Sequence, residues 1–239
     1  MPKIPVPLDR LDALTMFDTP TIANAMDSLQ IKGRQFSGSS IRAVTAGGKA
    51  ICGVAITATM KEQWGGNYSH VEPWMCFLEE IEKETLPVVA ILKDESEIVG
   101  RDAMIGEGMS LAMRSVGAHA ALCDGVIRDI SAIREINFPV WANGLVADRG
   151  NIRFHQYQVP VNVGGMKVNP GDLIHMDENG AMVLPSDRVD EILASAADVN
   201  RNEAILFQLL NSTDFRVSQL RNHYAGALKA ALAEANAEF

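Results

Sequence analysis

The chain has few aromatic residues and few cysteines, and its basic residues are not clustered. Aromatics make up 6% of the 239 residues, the formal net charge is −9, and no window is rich in Lys and Arg. Nucleic-acid binders usually present a basic face and aromatic rings on which bases stack. We therefore expect no nucleic-acid partner.

The three cysteines, Cys52, Cys76 and Cys123, are odd in number and widely spaced, which argues against a disulfide framework. Each lies in an apolar run, so we expect each to be a small buried hydrophobic residue.

Long hydrophobic runs are also missing. No uninterrupted apolar run approaches the ~18 residues of a membrane-spanning helix, and the N-terminal MPKIPVPLDRLD lacks the apolar segment of a signal peptide. We therefore expect a cytoplasmic protein with no membrane partner. Its apolar content of 47% and charged content of 21% are typical of a soluble globular protein.

Hydrophobic periodicity predicts alternating helices and strands through the first part of the chain. The predicted helices cover 19–29, 70–83, 107–116 and 129–136, and the predicted strands cover 50–60, 86–94, 119–123 and 139–142. Strands separated by short helices indicate β-α-β units and an α/β fold. Segment 158–185 alternates short apolar runs with Gly- and Pro-containing turns, which predicts a β-meander.

The C-terminal part reads as helical, with helices expected over 187–211 and 214–236. We expect an α/β domain over residues 1–185. A helical extension over 186–239 would pack on this domain or on a neighbouring subunit.

Two short stretches carry residues suited to chemistry. In the first, Gly106-Glu107-Gly108-Met109 opens a predicted helix, whose exposed N–H groups suit a carboxylate or phosphate. Many helices begin this way for turn geometry alone. In the second, CDGVIRD, Arg128 closely follows the predicted strand 119–123, where a guanidinium could hold a carboxylate. A surface arginine paired with a nearby acid is the ordinary alternative.

Asp129 adds a hard oxygen ligand of the kind that Mg²⁺ or Mn²⁺ takes. A second acid, Asp124 or Glu107, is compatible with such a site, although Asp129 could equally be an acid favoured at a helix start. Twenty residues separate Glu107 from Arg128. One helix-plus-strand unit fills that interval, so a crossover would return both loops to the same edge of the sheet.

The stretch GEGMSLAMRSVGAHAALCDGVIRD resembles the pattern G-[DE]-x20-R-D of the RraA-like family. That family includes class II 4-hydroxy-4-methyl-2-oxoglutarate/4-carboxy-4-hydroxy-2-oxoadipate aldolases and regulators of ribonuclease activity. TPTIANAM resembles its N-terminal helix start, with Asn24 where Asp is usual. VPVNVGGMKVNPGDLIHMDENGAMVLP resembles its closing sheet, and NEAILFQLLNS its C-terminal helix.

The resemblance implies an α/β/α sandwich of the swivelling-domain type that assembles as a homotrimer or homohexamer. It also implies a role for each matching residue. Asp129 matches the ligand of a divalent cation, Mg²⁺ or Mn²⁺, and Glu107 matches an acid that holds a metal-bound water. Arg128 matches the residue that contacts the substrate carboxylate. The matching positions of the helix start, whose backbone N–H groups bind that carboxylate, are Gly106, Gly108 and Met109, and Glu203 matches an acid from a neighbouring subunit.

The implied reaction cleaves a carbon–carbon bond of a 4-hydroxy-2-oxo diacid and releases pyruvate. The same site would decarboxylate oxaloacetate, because both reactions pass through the pyruvate enolate. Two departures touch the substrate pocket. Trp64-Gly65-Gly66-Asn67 stands where the family has PGDN, and Gly108 stands where an apolar residue is common.

Two alternative functions remain open at the level of sequence. A non-catalytic regulator would bind a ribonuclease complex, but such relatives tend to lack the C-terminal helix that carries Glu203 here. A methyltransferase should show a Gly-rich strand-to-helix turn for its cofactor, and no convincing one is present. We also expect the side chains of Met104, Met109 and Met113 to serve in packing, His119 to be a core or interface residue, and Asp124 to support the site or form a turn.

Overall fold

The computed structural model describes residues 6–45, 47–63 and 71–225. The helices with both ends in these ranges are α1 (Leu8–Leu14), α2 (Thr19–Ser28), α3 (Val71–Lys83), α4 (Glu107–Ser115), α5 (Ile130–Glu135) and α6 (Val189–Leu210). The strands are β1 (Gln35–Phe36), β2 (Arg42–Ala43), β3 (Ile51–Glu62), β4 (Val88–Asp94), β5 (Ala103–Ile105), β6 (Ala118–Cys123), β7 (Val126–Ile127), β8 (Val140–Ala142), β9 (Gly144–Leu145), β10 (Ile152–Tyr157), β11 (Val161–Val163), β12 (Met166–Val168), β13 (Leu173–Asp177) and β14 (Gly180–Leu184).

A central sheet with the strand order β1-β14-β13-β3-β4-β6-β8-β2 organises the described part of the chain, and β10 pairs with β3 beside it. The pairs β3–β4, β4–β6 and β6–β8 are parallel, as β-α-β units require. The predicted meander supplies the antiparallel pair β13–β14, while β11 and β12 form a separate ribbon. The predicted α/β fold class is confirmed.

The sheet is buried because its central strands are apolar on both faces. On one face Ile56 and Ala58 pack with residues of α3, α4 and α5, and on the other Ala55 packs with the β11–β12 ribbon and Trp141. Strands buried on both faces read as continuous apolar runs, and this is why 86–94 could be identified from the sequence.

A further core cluster joins α1, α2 and the first turns of α6 to β13 and β14. Helix α2 begins at Thr19 as predicted, because the Asp18 side chain accepts the Thr21 N–H at 2.8 Å and caps the first turn. Helix α6 contributes Val189, Ile192 and Ala196 to this cluster.

The helical C-terminal region is present as predicted. Residues 217–225 are helical, and the rest of the helix expected over 214–236 lies outside the described residues. The division into a domain over 1–185 and an extension over 186–239 stays a prediction, although the first turns of α6 are an integral part of a core cluster.

The burial prediction for one cysteine was wrong. Cys52 and Cys123 are buried, but Cys76 is only half-buried, because it lies on α3 towards the solvent side of that helix. His119 is exposed and does not lie in the core: β6 alternates at its start, and His119 takes the outward position between Ala118 and Ala120. The alternative that His119 lies at an interface between subunits stays a prediction. Within the described ranges, none of the helices is long and apolar enough to cross a membrane.

Candidate functional site

A small parallel sheet brings the two predicted motifs together. Strands β5 and β7 pair through Ile105 and Ile127, and the Arg128 N–H donates to the Ile105 carbonyl oxygen at 3.0 Å. One strand leads directly into α4 and the other directly into Arg128. The sequence spacing predicted that the motifs would meet, but it did not reveal this separate three-stranded sheet, β5-β7-β9.

Asp129 points back towards the start of α4. It occupies the N-cap position of α5 in the left-handed region, with φ 58° and ψ 33°, and its side chain makes no capping bond to its own helix. Its Oδ2 instead accepts the Glu107 N–H at 3.2 Å and lies 3.4 Å from Arg128 Nε. A non-glycine residue in this backbone region is uncommon, and such residues cluster at functional sites.

Gly106 makes this close approach possible. Its backbone is extended, so glycine is not needed for φ. A Cβ at this position would lie 2.8 Å from Asp129 Oδ2 and 3.3 Å from Arg128 Nε. The absence of a side chain therefore lets the carboxylate and the guanidinium reach the first turn of α4.

The first turn of α4 offers further donors. Its N–H groups have no acceptor within the helix, and Asp129 uses only that of Glu107. In the described part of the chain the N–H groups of Gly108 and Met109 have no acceptor. They face outward at the positive end of the helix dipole, beside a guanidinium, an arrangement suited to a carboxylate. A Cβ at Gly108 would meet no atom within 4 Å, so this departure from the family pattern borders open space.

The Arg128–Asp129 pair is partly open to solvent, with 33% and 40% of the two side chains exposed. A pair this exposed contributes at most about 1 kcal/mol to stability. The pair therefore matters for its position, because it places a positive guanidinium and a negative carboxylate beside free amide groups.

The donor set fits a divalent cation that keeps several waters. Asp129 Oδ1 has no partner in the described ranges, which leaves one hard oxygen ligand available. Glu107 is exposed on the same helical turn. No group of three or more His, Cys, Asp or Glu residues that could hold a metal occurs among the residues that the structure describes. Mg²⁺ commonly takes only one or two protein carboxylates and completes its shell with water and substrate.

Asp124 is not available as a second ligand. Its Oδ1 accepts the Asp94 N–H at 2.8 Å, and its Oδ2 lies 2.6 Å from Lys93 Nζ. The neighbouring Asp94 is itself buried and accepts the N–H groups of Ser96 and Gly100. Asp124 therefore ties the ends of β4 and β6 together, and the alternative in which it assists Asp129 as a ligand is not supported.

Glu203 lies apart from these residues within one chain. It is on α6 beyond Val199, the last residue of that helix that packs against a core cluster, and it has no hydrogen bond or ion pair with the other described residues. A contribution from a neighbouring subunit stays a prediction. The departure at Trp64–Asn67 lies outside the described residues.

An open cavity of about 250 Å³ lies beside the start of α4. Its apolar wall includes Trp74, which stacks near Phe154 with ring centroids 4.6 Å apart. Met104 is buried as predicted, and half-buried Met109 packs against the same core cluster and also lines this cavity. Two arginines that the sequence analysis missed, Arg149 and Arg153, also line it.

Comparison with known proteins places these features in context. A family model described as "RraA-like: Aldolase/RraA" matches residues 19–183. A Halalkalibacterium halodurans protein named "Putative 4-hydroxy-4-methyl-2-oxoglutarate aldolase" is 32% identical over 95 residues, or 39% of this chain and 45% of that protein. "Uncharacterized protein MJ0644" of Methanocaldococcus jannaschii is 31% identical over 127 residues, or 51% of this chain and 61% of that protein. The chain thus spans less than two-thirds of the length of these curated relatives.

A solved structure from Streptomyces coelicolor matches more completely. It is described as RraAS2, "an unusual member of the RNase ES inhibitor RraA protein family", and superimposes with a TM-score of 0.68 at 25% identity. The match covers 85% of this chain and 98% of that one. The α/β fold with a helical C-terminal region is therefore shared with that protein.

Proposed function

Because this chain belongs to the RraA-like family, we propose that it is a divalent-metal-dependent lyase acting on 4-hydroxy-2-oxo diacids. It would cleave a carbon–carbon bond and release pyruvate, and it would also decarboxylate oxaloacetate. The name of the Halalkalibacterium halodurans relative supports the aldolase class. The preferred cation is Mg²⁺ or Mn²⁺.

A single observation carries the proposal: Asp129 and Arg128 meet at the first turn of α4, where two amide groups are free. Arg128 can form parallel hydrogen bonds with the carboxylate of a 2-oxo acid. The N–H groups of Gly108 and Met109 can hold the same carboxylate and fix its orientation before the reaction.

Negative charge develops on the 2-oxo oxygen as pyruvate leaves in its enolate form. Asp129 would hold a divalent cation, which would supply Lewis-acid stabilisation of that charge. Glu107, exposed on the same turn, can accept the proton of the 4-hydroxyl group or return one to the enolate carbon through water. Arg128 compensates the charge that remains on the carboxylate.

The proposal is tested by coupling pyruvate release to NADH oxidation with lactate dehydrogenase. Oxaloacetate and 4-hydroxy-4-methyl-2-oxoglutarate should be consumed with added Mg²⁺ or Mn²⁺, and a chelator should stop the reaction. Arg128→Ala should lower kcat/KM by at least about 100-fold, because it removes a charged contact to the substrate at the reacting end. Arg114→Ala, an exposed change on α4 with the same loss of charge, should act like the wild type. Equal rates for the Arg128 and Arg114 variants would contradict the proposal.

The alternative is a non-catalytic regulator that binds a ribonuclease complex. Two observations favour it: the similar Streptomyces coelicolor protein is described as a member of an RNase ES inhibitor family, and Ile205, Phe207 and Leu210 are exposed on the distal half of α6. Large exposed apolar side chains on one helix segment suit a protein contact. This alternative predicts no turnover of any 2-oxo acid and direct capture of a ribonuclease by the purified chain.

A further inference from the structure

The cavity beside α4 carries two arginines that the reaction proposed above does not use. Arg149, in the loop after β9, is exposed at its rim, and Arg153, on β10, is half-buried in its wall. Neither guanidinium lies within 4 Å of a carboxylate of the described residues. The nearby acid Asp102 is already occupied by Arg101 Nε at 3.0 Å and the Asn151 N–H at 2.8 Å.

The charge of Arg149 acts on Arg153 more strongly than the charge of the nearby acid does. Burial lowers the pKa of the Arg153 guanidinium, and the positive charge of Arg149 lowers it further, while Asp102 opposes this with a smaller effect. One nitrogen of Arg153 donates to the Gly150 and Ile152 carbonyl oxygens, which fixes the guanidinium in place.

The backbone holds Arg149 and Arg153 close to the start of α4. The Ala103 N–H donates to the Asp148 carbonyl oxygen at 3.2 Å, so the loop carrying Arg149 is attached to β5. Gly150 in that loop has φ +57°, and a Cβ there would lie 1.9 Å from Asp102 Cγ, so only glycine fits. The loop is therefore held against β5, the strand that leads directly into Gly106.

Met109 connects the cavity to the candidate site. Its N–H is one of the two free amide groups on the first turn of α4, and the residue is among those that line the cavity. Helical rise is 1.5 Å per residue, so Met109 lies only about 3 Å along the axis from Glu107, the residue bonded to Asp129. The wall between Met109 and the arginines is apolar, with Met104, Ile152 and Phe154.

From this arrangement we infer that Arg149 and Arg153 bind the distal carboxylate of the substrate and select diacids over monoacids. This inference deepens the proposed function. The 2-oxo acid end would lie at Arg128 and the α4 amides, the apolar wall would contact the carbon chain, and the far carboxylate would be bound between the two guanidinium groups. Two unneutralised guanidiniums next to an apolar surface favour a carboxylate linked to a hydrocarbon segment over a free inorganic ion.

The inference is tested by binding, without turnover. Glutarate carries two carboxylates and butyrate only one, on chains of similar length, and neither can react. Calorimetry on the wild-type chain should show glutarate binding about 10- to 100-fold tighter than butyrate, the worth of a charge-assisted contact. Arg149→Gln and Arg153→Gln should each remove most of that difference. Arg114→Gln, which changes the net charge equally at an exposed position of α4, should keep it.

Competition with inorganic phosphate shows which kind of anion the two arginines prefer. Inorganic phosphate at matched ionic strength should not displace glutarate at comparable concentration, and displacement at lower concentration would overturn the carboxylate assignment in favour of a phosphate site. Equal glutarate affinity in the wild type and both Arg→Gln variants would also overturn it, even if the variants were well folded by circular dichroism.

Turnover distinguishes failure of this inference from failure of the proposed function. If the wild type releases pyruvate from oxaloacetate, the Gln variants should lose kcat/KM selectively for 4-hydroxy-2-oxoglutarate against 4-hydroxy-2-oxopentanoate, in which a methyl group replaces the distal carboxylate. Unchanged selectivity would overturn the inference alone. Absence of all turnover, with the glutarate preference intact and dependent on both arginines, would overturn the lyase and leave the diacid site supported.

Discussion

At the residue scale, the site depends on one glycine whose role is to leave space. Gly106→Ala would put a methyl group 2.8 Å from Asp129 Oδ2 and 3.3 Å from Arg128 Nε, so both side chains would have to move. A displacement of about 1 Å at a reacting centre can cost about 100-fold in rate. We expect Gly106→Ala to lower kcat/KM for pyruvate release by about that factor with little change in thermal stability.

The matched control is Gly47→Ala. Gly47 is exposed, and a Cβ there would meet no atom within 4 Å. It should retain wild-type kinetics in the same coupled assay. Wild-type kinetics in Gly106→Ala would mean that the close approach of Asp129 to α4 has no part in the reaction.

The individual residues of the site differ in how far the sequence could predict them. Glu107, Arg128 and Asp129 could be expected to meet because a β-α-β unit has a fixed crossover geometry. The left-handed backbone of Asp129 could not be expected, since a residue other than glycine seldom adopts it unless the surroundings impose it. The location of Arg149 and Arg153 near the site could not be predicted either, because it depends on how the loop after β9 is attached to β5.

At the element scale, Asp124 joins the ends of two neighbouring parallel strands. It accepts an N–H from β4 and pairs with Lys93, and only about a tenth of its side chain is exposed. Asp124→Asn removes the charge that holds Lys93. We expect a loss of about 1–3 kcal/mol in the free energy of unfolding, measured by urea denaturation. Glu135→Gln, an exposed acid on α5, should change it by less than about 0.5 kcal/mol. A loss no larger than that of the control would contradict the structural role of Asp124.

The contacts between the ends of β4 and β6 could not be predicted from the sequence. Both strands were predicted from their apolar runs, and their parallel pairing follows from the helix between them. Which residues meet at their ends depends on register, and here a register irregularity lies between Val88 and Val89. No local pattern in the sequence encodes that shift.

His175 connects helices α1 and α2 to β13. Its Nε2 lies 3.2 Å from the Leu14 carbonyl oxygen and its Nδ1 3.1 Å from Thr19 Oγ1, and the ring is fully buried. Burial lowers the pKa of this histidine, although the nearby Asp177 opposes the shift. The unfolded chain therefore binds a proton at a higher pH than the folded chain does.

Stability should consequently fall as the pH drops below the ordinary histidine pKa of about 6.5. The contribution is fully present above that value and is lost as the pH falls towards the lower pKa of the folded state. His175→Asn should show a smaller decrease in urea stability between pH 7 and pH 5 than the wild type. An equal decrease in both proteins would show that other groups cause the pH dependence.

At the scale of the whole molecule, the distal half of α6 is a candidate surface for association of subunits. Ile205, Phe207 and Leu210 are exposed there, and Glu203 is far along the helix from its packed first turns. If subunits associate as a homotrimer or homohexamer and Glu203 reaches a neighbouring site, defects at Glu203 and at Arg128 should complement each other. An assembly of Glu203→Gln with Arg128→Ala chains would contain some sites with both residues intact.

Co-expression of these two variants with different tags, followed by tandem purification, provides the measurement. The mixed assembly should regain a substantial part of wild-type activity while each variant by itself stays impaired. Activity no higher than the mean of the two variants would show that Glu203 does not act across subunits. The architecture of a single chain could be predicted from periodicity, but contacts between chains leave no such pattern in one sequence.

The central claim is that the Asp129 carboxylate holds a divalent cation where a 2-oxo acid binds. The most direct measurement is a Mn²⁺ titration of oxaloacetate decarboxylation by the wild type and by Asp129→Asn, which preserves size and removes the charge. We expect saturable Mn²⁺ activation of the wild type and a loss of at least about 100-fold in kcat/KM for the variant. Full Mn²⁺-dependent activity in Asp129→Asn would contradict the account.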